Sequence, residues 1–211
     1  MIFAILPVKS PRNAKQRLKD YLAAEERETL ARLLYRQTLA ALCQAEGIDR
    51  VVVATSDAEI AGHARDRGVM VFDEYEQISH SASADAACAR AMDLGATTAM
   101  LVPIDVPRVT PADFSRLAAA ARPGLIVVPS SDGTGTNALV RTPPNVIESR
   151  FGPGSFRAHM DQARAKGVFA EALRLPGLMF DIDTPEDVAE LLAGTQDGPV
   201  PAFLRSACAS K

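Results

Sequence analysis

Leu101-Val102-Pro103-Ile104-Asp105-Val106-Pro107-Arg108-Val109 is the stretch whose reading decides the fold. Ala99, Met100, Leu101 and Val102 make an apolar run, and prolines at 103 and 107 flank a lone carboxylate, Asp105. Such a run bounded by turn residues reads as a buried central strand, with Asp105 where the strand ends. In open α/β sheets ligands bind beyond the carboxyl ends of the strands. Asp105 is therefore either a ligand-site carboxylate or a turn residue ahead of a helix predicted over 111–121. A second acidic stretch far downstream, Asp181-Ile182-Asp183-Thr184-Pro185-Glu186-Asp187, favours the first reading.

Working outward, the chain alternates strand-like and helix-like segments. Residues 2–6 are an apolar first strand that runs into a loop carrying Lys9, Arg12, Lys15 and Arg17, the most basic window of the chain. A cationic loop after the first strand either handles phosphates, with lysine, arginine and loop amides facing one space, or is a solvated surface turn. Apolar residues at 30, 33, 34, 38, 39, 41 and 42 follow a helical period, predicting a helix over 25–44. A β-branched strand at 50–55 ends in Ser56-Asp57, which can cap a helix over 58–67. A third strand at 69–72, a polar irregular segment over 73–83 and a helix over 84–94 complete this half. The βαβα order predicts a parallel sheet.

On the other side of Asp105, a strand at 125–129, the turn Ser130-Ser131-Asp132-Gly133-Thr134-Gly135-Thr136-Asn137 and a strand at 138–141 read as a hairpin. The glycines either serve the turn alone or allow close backbone approach to a ligand, with Thr136 or Asn137 supplying a polar contact. In Phe151-Gly152-Pro153-Gly154-Ser155-Phe156-Arg157-Ala158-His159, two glycines and a serine precede a helix running to about 166. That puts amides, a hydroxyl and the positive helix end at one point, which favours a phosphate or carboxylate. His159 lies a turn inside this helix, where a structural role is the expectation. Residues 178–182 are predicted as the last strand, with Asp183 at its end and Thr184-Pro185-Glu186 opening a helix to 192.

At 211 residues the chain fits one large α/β domain, taken as 1–194, with a Gly/Pro/Ser/Ala-rich tail over 195–211 expected to be loosely ordered. The formal net charge of −3 gives no nucleic-acid footprint. Three cysteines without a CxxC spacing argue against a disulfide framework or a zinc site. The amino-terminal MIFAILPVK has no basic leader or cleavage site, and no segment reaches the roughly 18 apolar residues of a membrane span. These features predict a soluble, cytoplasmic protein that does not act on nucleic acid or membranes. No internal repeat is visible, and the segment 74–82 is a candidate homodimer contact.

The succession LPVK with AKQRL, ATSD, PIDVP, DGTGTNAL, FGPGSF and DIDTPED resembles the guanylyltransferases of coenzyme F-420 biosynthesis, in the right order over nearly the whole chain. That resemblance implies a mixed, mostly parallel Rossmann-like sheet flanked by helices, of the nucleotide-diphospho-sugar transferase type. The activity it implies joins GMP from GTP to the phosphate of 2-phospho-L-lactate, phosphoenolpyruvate or 3-phospho-D-glycerate and releases pyrophosphate. Bringing two anions together calls for Mg²⁺ and cation clamps. The resemblance implies Asp105 and Asp183 as metal ligands, hard oxygens of the kind Mg²⁺ prefers, and Lys15 beside them in catalysis. It further implies nucleotide contacts at Lys9, Lys15, Arg17, Ser56 and Asp85, and acceptor contacts at Thr136, Gly152 and Ser155. The chain departs from the family's Gly-Leu-Asn-Ala-Ala run, with Asp85 in the asparagine position of Ser83-Ala84-Asp85-Ala86-Ala87. A nucleotidyltransferase of the same fold using CTP or a sugar phosphate, and a catalytically silent relative, are the alternatives.

Overall fold

The computed structural model describes residues 1–73 and 79–209. Seven strands form one sheet: β1 (Ile2–Pro7), β2 (Arg50–Thr55), β3 (Met70–Asp73), β4 (Thr98–Leu101), β5 (Gly124–Pro129), β6 (Thr136–Thr142) and β7 (Ala170–Ala172). Their order is β3-β2-β1-β4-β6-β5-β7. Among the described strands only β6 runs antiparallel to its neighbours, so the sheet is mixed and mostly parallel, as the family resemblance implied. The chain builds outward from β1 through β2 to β3, then returns to place β4 on the other side of β1. This reversal between β1 and β4 is the switch point where α/β sheets open a crevice.

Both faces of the central strands are covered, which is why they read as unbroken apolar runs. Ala4 and Leu6 of β1 face one layer and Phe3 and Ile5 the other, all within 2% of complete burial. The first layer contains α1 (Ala24–Cys43), α2 (Ala58–Asp66) and α4 (Pro111–Ala119). Tyr35, Leu39 and Leu42 of α1 and Phe114 and Leu117 of α4 pack there. The opposite layer holds α3 (His80–Asp93) and α5 (Ser155–Ala165), where Ala84, Ala87 and Ala91 pack on the sheet.

A third cluster does the most to position the site. It joins Leu18 and Leu22 from the first loop, Leu30 and Leu34 from α1, Phe180 and Ile182, and Val188 and Leu191 of α7 (Pro185–Ala193). Leu18 and Ile182 are both fully buried in it. Burying side chains of this size contributes roughly 1.5–3 kcal/mol each. Lys15 lies three residues before Leu18 and Asp183 one after Ile182, so the cluster brings two distant polar residues to one place.

Three sequence expectations change, and one strand appears where none was expected. Residues 178–182 are not a strand: Pro176–Met179 form a single helical turn, α6, and the chain then crosses the sheet's end in extended conformation. β7, Ala-Glu-Ala, is too short for its alternation to read as a strand and exists because β5 offers it a parallel partner, with Leu125 N donating to Phe169 O. The carboxyl-terminal segment is not loose over 199–209, where α8 (Pro199–Ala209) buries Val200, Leu204 and Ala207 in the third cluster. Finally, α3 starts at His80, four residues early, because Ser79 caps it by accepting from Ala82 N at 3.1 Å. Residues 74–78 of the candidate dimer contact lie outside the described residues.

Candidate active site

At the carboxyl end of the switch point, the Lys15 ammonium sits 3.0 Å from Asp105 Oδ2 and 2.9 Å from Asp183 Oδ1. Three segments supply this triad. Lys15 lies between two short 3-10 turns, Pro11–Asn13 and Gln16–Leu18, and is the one non-glycine residue in the left-handed region among the described residues, at φ 52° and ψ 44°. A residue held there costs of order 1 kcal/mol or more, so its surroundings must impose it. Asp105 lies four residues past β4, in a loop whose carbonyl at Asp105 accepts from Ile182 N at 3.0 Å. Asp183 N donates to Asp187 Oδ2, within the capping box that opens α7.

The Lys15 side chain is 7% exposed, which by itself disfavours its charge. The two carboxylates outweigh that burial, and the Lys15 pKa is raised above its ordinary value. Burial likewise pushes the Asp105 carboxyl up, but Lys15 beside it wins and holds it below the usual range. A third carboxylate, Asp181, is shifted the other way: burial first, then the charges of Asp105 and Asp183, raise it against an opposing hydrogen bond from Asn137. Sequence reading placed Asp181 in the second acidic stretch but gave it no role. Arg17 differs in exposure from Lys15: it is 70% exposed and 3.7 Å from Asp183. Lys9 and Ser56 are exposed at the ends of β1 and β2 on the same side of the sheet.

Ser10 Oγ donates to Asp57 Oδ2 at 2.9 Å, while Asp57 Oδ1 caps α2 through the amides of Glu59 and Ile60. The predicted cap is thus present, and it also ties the first loop to β2. Asp85 is placed differently from the expectation that it meets a nucleotide. Its Oδ1 accepts from Arg141 Nη1 at 2.7 Å and from Ser149 Oγ at 2.7 Å, and Ser149 N lies within 3.1 Å of both oxygens. Arg141, on β6, is 1% exposed. The extra negative charge in the asparagine position is therefore matched by a buried arginine that sequence reading did not single out.

Beside the triad a cleft is lined by Pro7, His80, Leu101, Val102, Pro103, Thr136, Asn137 and Phe151. Asn137 Nδ2 donates to Leu178 O, Met179 O and Asp181 Oδ1 at 2.9–3.1 Å, which holds the crossing segment over the sheet's end. Thr136 Oγ1 lies 3.0 Å from His159 Nδ1, and His159 Nε2 accepts from Arg150 N at 2.9 Å. His159 is fully buried, and burial followed by the charges of Arg141 and Arg150 lowers its pKa to about 4. The expected structural role for this histidine agrees with its surroundings.

Gly152 and Ser155 stand next to the cleft rather than in its lining. Gly152 at φ 127° and Gly154 at φ 72° adopt conformations that favour glycine. The amides of Ser155 and Phe156 already donate to Gly152 O and Thr134 O, both at 3.1 Å, so this loop offers an anion fewer free amides than its sequence suggested. The 130–136 turn is also largely self-satisfied. Asp132 accepts from Ser130 Oγ, Thr134 N and Thr134 Oγ1, and these bonds bring its carboxyl down to about 2. Gly135 is needed because a Cβ there would come 2.9 Å from Ser130 Oγ.

The donor set around Lys15 fits a hard divalent cation. Two carboxylate oxygens converge within 3.0 Å of one positive centre, and the ammonium stands where such a cation would be held. Among the described residues no group of three or more His, Cys, Asp or Glu side chains is placed to hold a metal. Mg²⁺ suits such a sparse set because it commonly takes one or two carboxylates and completes its shell with phosphate and water oxygens.

The family described as guanylyl transferase, CofC-like, matches residues 2–210. A phosphoenolpyruvate guanylyltransferase of Sphaerobacter thermophilus is 37% identical, over 89% of this chain and 91% of that protein. A 2-phospho-L-lactate guanylyltransferase of Methanothermobacter thermautotrophicus is 30% identical, over 96% of this chain and 89% of that protein. Among solved structures, a nucleotidyl transferase from a Methanothermobacter superposes with a TM-score of 0.67 at 16% identity, covering 98% of this chain and 99% of the other. No described helix is long and apolar enough to cross a membrane.

Proposed function

The chain belongs to the CofC-like guanylyl transferase family, and from that premise we propose that it transfers GMP from GTP to the phosphate of a small phosphorylated carboxylic acid, releasing pyrophosphate, in coenzyme F-420 formation. The observation that carries this reading is the Lys15 ammonium held between Asp105 and Asp183, the first following β4 at the carboxyl end of the sheet. Asp105 and Asp183 would hold Mg²⁺ delivered with the nucleotide. Bound there, the ion would neutralise phosphate charge as it develops. Lys15, released from the carboxylates, would reach the GTP phosphates together with Lys9 and Arg17 from the same loop. Ser56, at the end of β2, would border the nucleoside.

The acceptor would lie in the cleft, its carboxylate toward Thr136 and its phosphate toward Gly152 and Ser155. No protein nucleophile is needed, because the attacking oxygen belongs to the acceptor's phosphate; the work left to the side chains is positioning and charge neutralisation. Among phosphoenolpyruvate, 2-phospho-L-lactate and 3-phospho-D-glycerate, the first is favoured, since the relative bearing its name is 37% identical and the phospholactate relative 30%. The test is pyrophosphate release with Mg²⁺ and GTP, with each acid in parallel and with no acceptor. Release with one acid only supports the reading and identifies the acceptor. Silence with all three, but release when CTP or a sugar phosphate is supplied, would transfer the protein to another nucleotidyltransferase class.

A further inference from the structure

His159 has no open face toward solvent, yet it touches two walls of the cleft. Its Nδ1 is 3.0 Å from Thr136 Oγ1, and its ring meets the Phe151 ring edge-on at 5.4 Å between centroids. Thr136 and Phe151 both line the cleft, whereas His159 lies behind them, 0% exposed.

The hydrogen bonds fix which nitrogen carries the proton. The partner of Nε2 is the backbone amide of Arg150, at 2.9 Å, and an amide N–H can only donate. Nε2 must therefore be the unprotonated nitrogen of a neutral ring, leaving the proton on Nδ1. Nδ1–H then donates to Thr136 Oγ1. Among the described residues that oxygen has no other partner at hydrogen-bond distance. One of its lone pairs is thus used from behind, and its own proton remains to be donated. Threonine's branched Cβ restricts how the hydroxyl can turn away.

We propose that His159 is a positioning residue that makes the Thr136 hydroxyl a hydrogen-bond donor, aimed at an anionic oxygen of the acceptor in the cleft. The inference rests on the reading of this cleft as the acceptor site. His159 is not a general base, because both ring nitrogens are already engaged within the protein. With the other tautomer the ring would present a lone pair to Thr136, the hydroxyl would donate inward, and its oxygen would face the acceptor's anion with lone pairs. The same histidine also spans the two halves of the site, because Arg150 leads directly into the Gly152–Ser155 loop while Thr136 opens β6.

Two measurements test this. The first is the ¹⁵N spectrum of histidine-labelled wild-type protein with Mg²⁺ and the non-transferable α,β-methylene analogue of GTP, titrated with phosphoenolpyruvate, 2-phospho-L-lactate and 3-phospho-D-glycerate. An Nδ1–H tautomer at His159 whose signal moves on titration is expected. An Nε2–H tautomer, or an Nδ1–H signal unmoved by all three acids, overturns the proposal even if the enzyme guanylylates one of them.

The second is steady-state kinetics of Thr136→Val, His159→Leu, His159→Asn and the Thr136→Val/His159→Leu pair. Loss of a hydrogen bond to a charged group corresponds to about a tenfold rise or more, so Thr136→Val and His159→Leu should each raise the acceptor KM by about that factor. The GTP KM should stay within about twofold. His159→Asn, which keeps an N–H near the Nδ1 position, should recover most of the loss. The double variant should be no worse than Thr136→Val alone, since the histidine acts through the hydroxyl. Additive effects in the pair, or equal rises in both KM values, overturn the proposal. If His159→Leu does not fold, His159→Asn and the tautomer decide. If no acid is guanylylated, the functional reading fails, and the titration judges the hydrogen bond separately.

Discussion

Lys15 and Asp183, 168 residues apart in the chain, meet at 2.9 Å because Leu18 and Ile182 anchor their segments in the same buried cluster. The same ammonium is shared with Asp105, at 3.0 Å, and on the proposed function a Mg²⁺ ion would compete with it for the two carboxylates. In a Lys15→Met variant the two carboxylates would face one another unbalanced. Such a variant should lose stability, and millimolar Mg²⁺ without nucleotide should raise its Tm by several degrees while leaving the wild-type Tm almost unchanged. Turnover should fall by roughly 10²-fold or more, the usual effect of removing one charge-stabilising donor. Thermal unfolding with and without Mg²⁺ is the check. Equal shifts in both proteins would mean that the ammonium does not compete with the metal.

Asp105→Asn and Asp183→Asn should each abolish turnover. Stability should fall by only about 1–3 kcal/mol, because the remaining carboxylate still pairs with Lys15. Denaturant unfolding alongside pyrophosphate release separates the two effects. Near-normal turnover in either variant would remove that residue from the metal site.

Arg141 and Asp85 make an asymmetric pair: the arginine side chain is 1% exposed and the aspartate 36%. Arg141 Nε and Nη2 are buried without a partner among the described residues, so the guanidinium already bears a desolvation cost and leans on Asp85 for its compensation. Asp85→Ala should thus destabilise by about 3 kcal/mol or more, leaving a buried charge unmatched. Arg141→Met, which removes that charge into apolar surroundings, should cost less, and the double variant should lie nearer Arg141→Met than the sum of the two. A larger loss for Arg141→Met than for Asp85→Ala would show that the arginine's packing outweighs its charge.

The sheet was legible because its strands are buried on both faces and announce themselves as apolar runs, as at Ala99 to Val102. Asp105 was legible as a lone carboxylate between prolines and Asp183 as part of an acidic stretch, although the strand expected before Asp183 is absent: Pro176 and Gly177 start a helical turn, and Asn137 takes that turn's last two carbonyls. What local pattern could not carry is partnership across the chain. Nothing near Asp85 says that Arg141 will neutralise it, nothing near His159 says that Thr136 and Arg150 will take both ring nitrogens, and Val200, Leu204 and Ala207 declare a helix only once a cluster is there to receive them.

His159 makes stability depend on pH in a defined direction. Its pKa falls from an ordinary 6.5 to about 4 in the folded protein, so the native state favours the neutral ring. The resulting stabilisation is fully present above about pH 6.5. It declines as pH falls, because the unfolded chain takes up the proton first, and is gone below about pH 4, a total of at most roughly 3 kcal/mol. Unfolding free energies of wild type and His159→Asn should accordingly converge between pH 6.5 and 4. A constant difference across that window would show that the ring does not titrate in this way.

Ser155 sits at the first position of α5, 2% exposed, behind Gly152 and Gly154. Two of the amides that the glycine loop might have lent to an anion are already donated, Ser155 N to Gly152 O and Phe156 N to Thr134 O. The loop's remaining contribution to binding the acceptor's phosphate then rests more heavily on the serine hydroxyl and the positive end of the helix. Ser155→Ala removes one hydroxyl without disturbing either backbone bond. It should raise the acceptor KM by about tenfold, the value of a hydrogen bond to a charged oxygen, with the GTP KM within about twofold. Gly152→Ala, forced toward a φ that alanine resists, should raise the acceptor KM as well and lower stability by about 1–2 kcal/mol, because a Cβ there meets no atom within 4 Å and only the backbone is strained. An effect of Ser155→Ala confined to GTP would reverse the assignment, placing the nucleotide at the α5 end of the cleft and the acceptor beside the first loop.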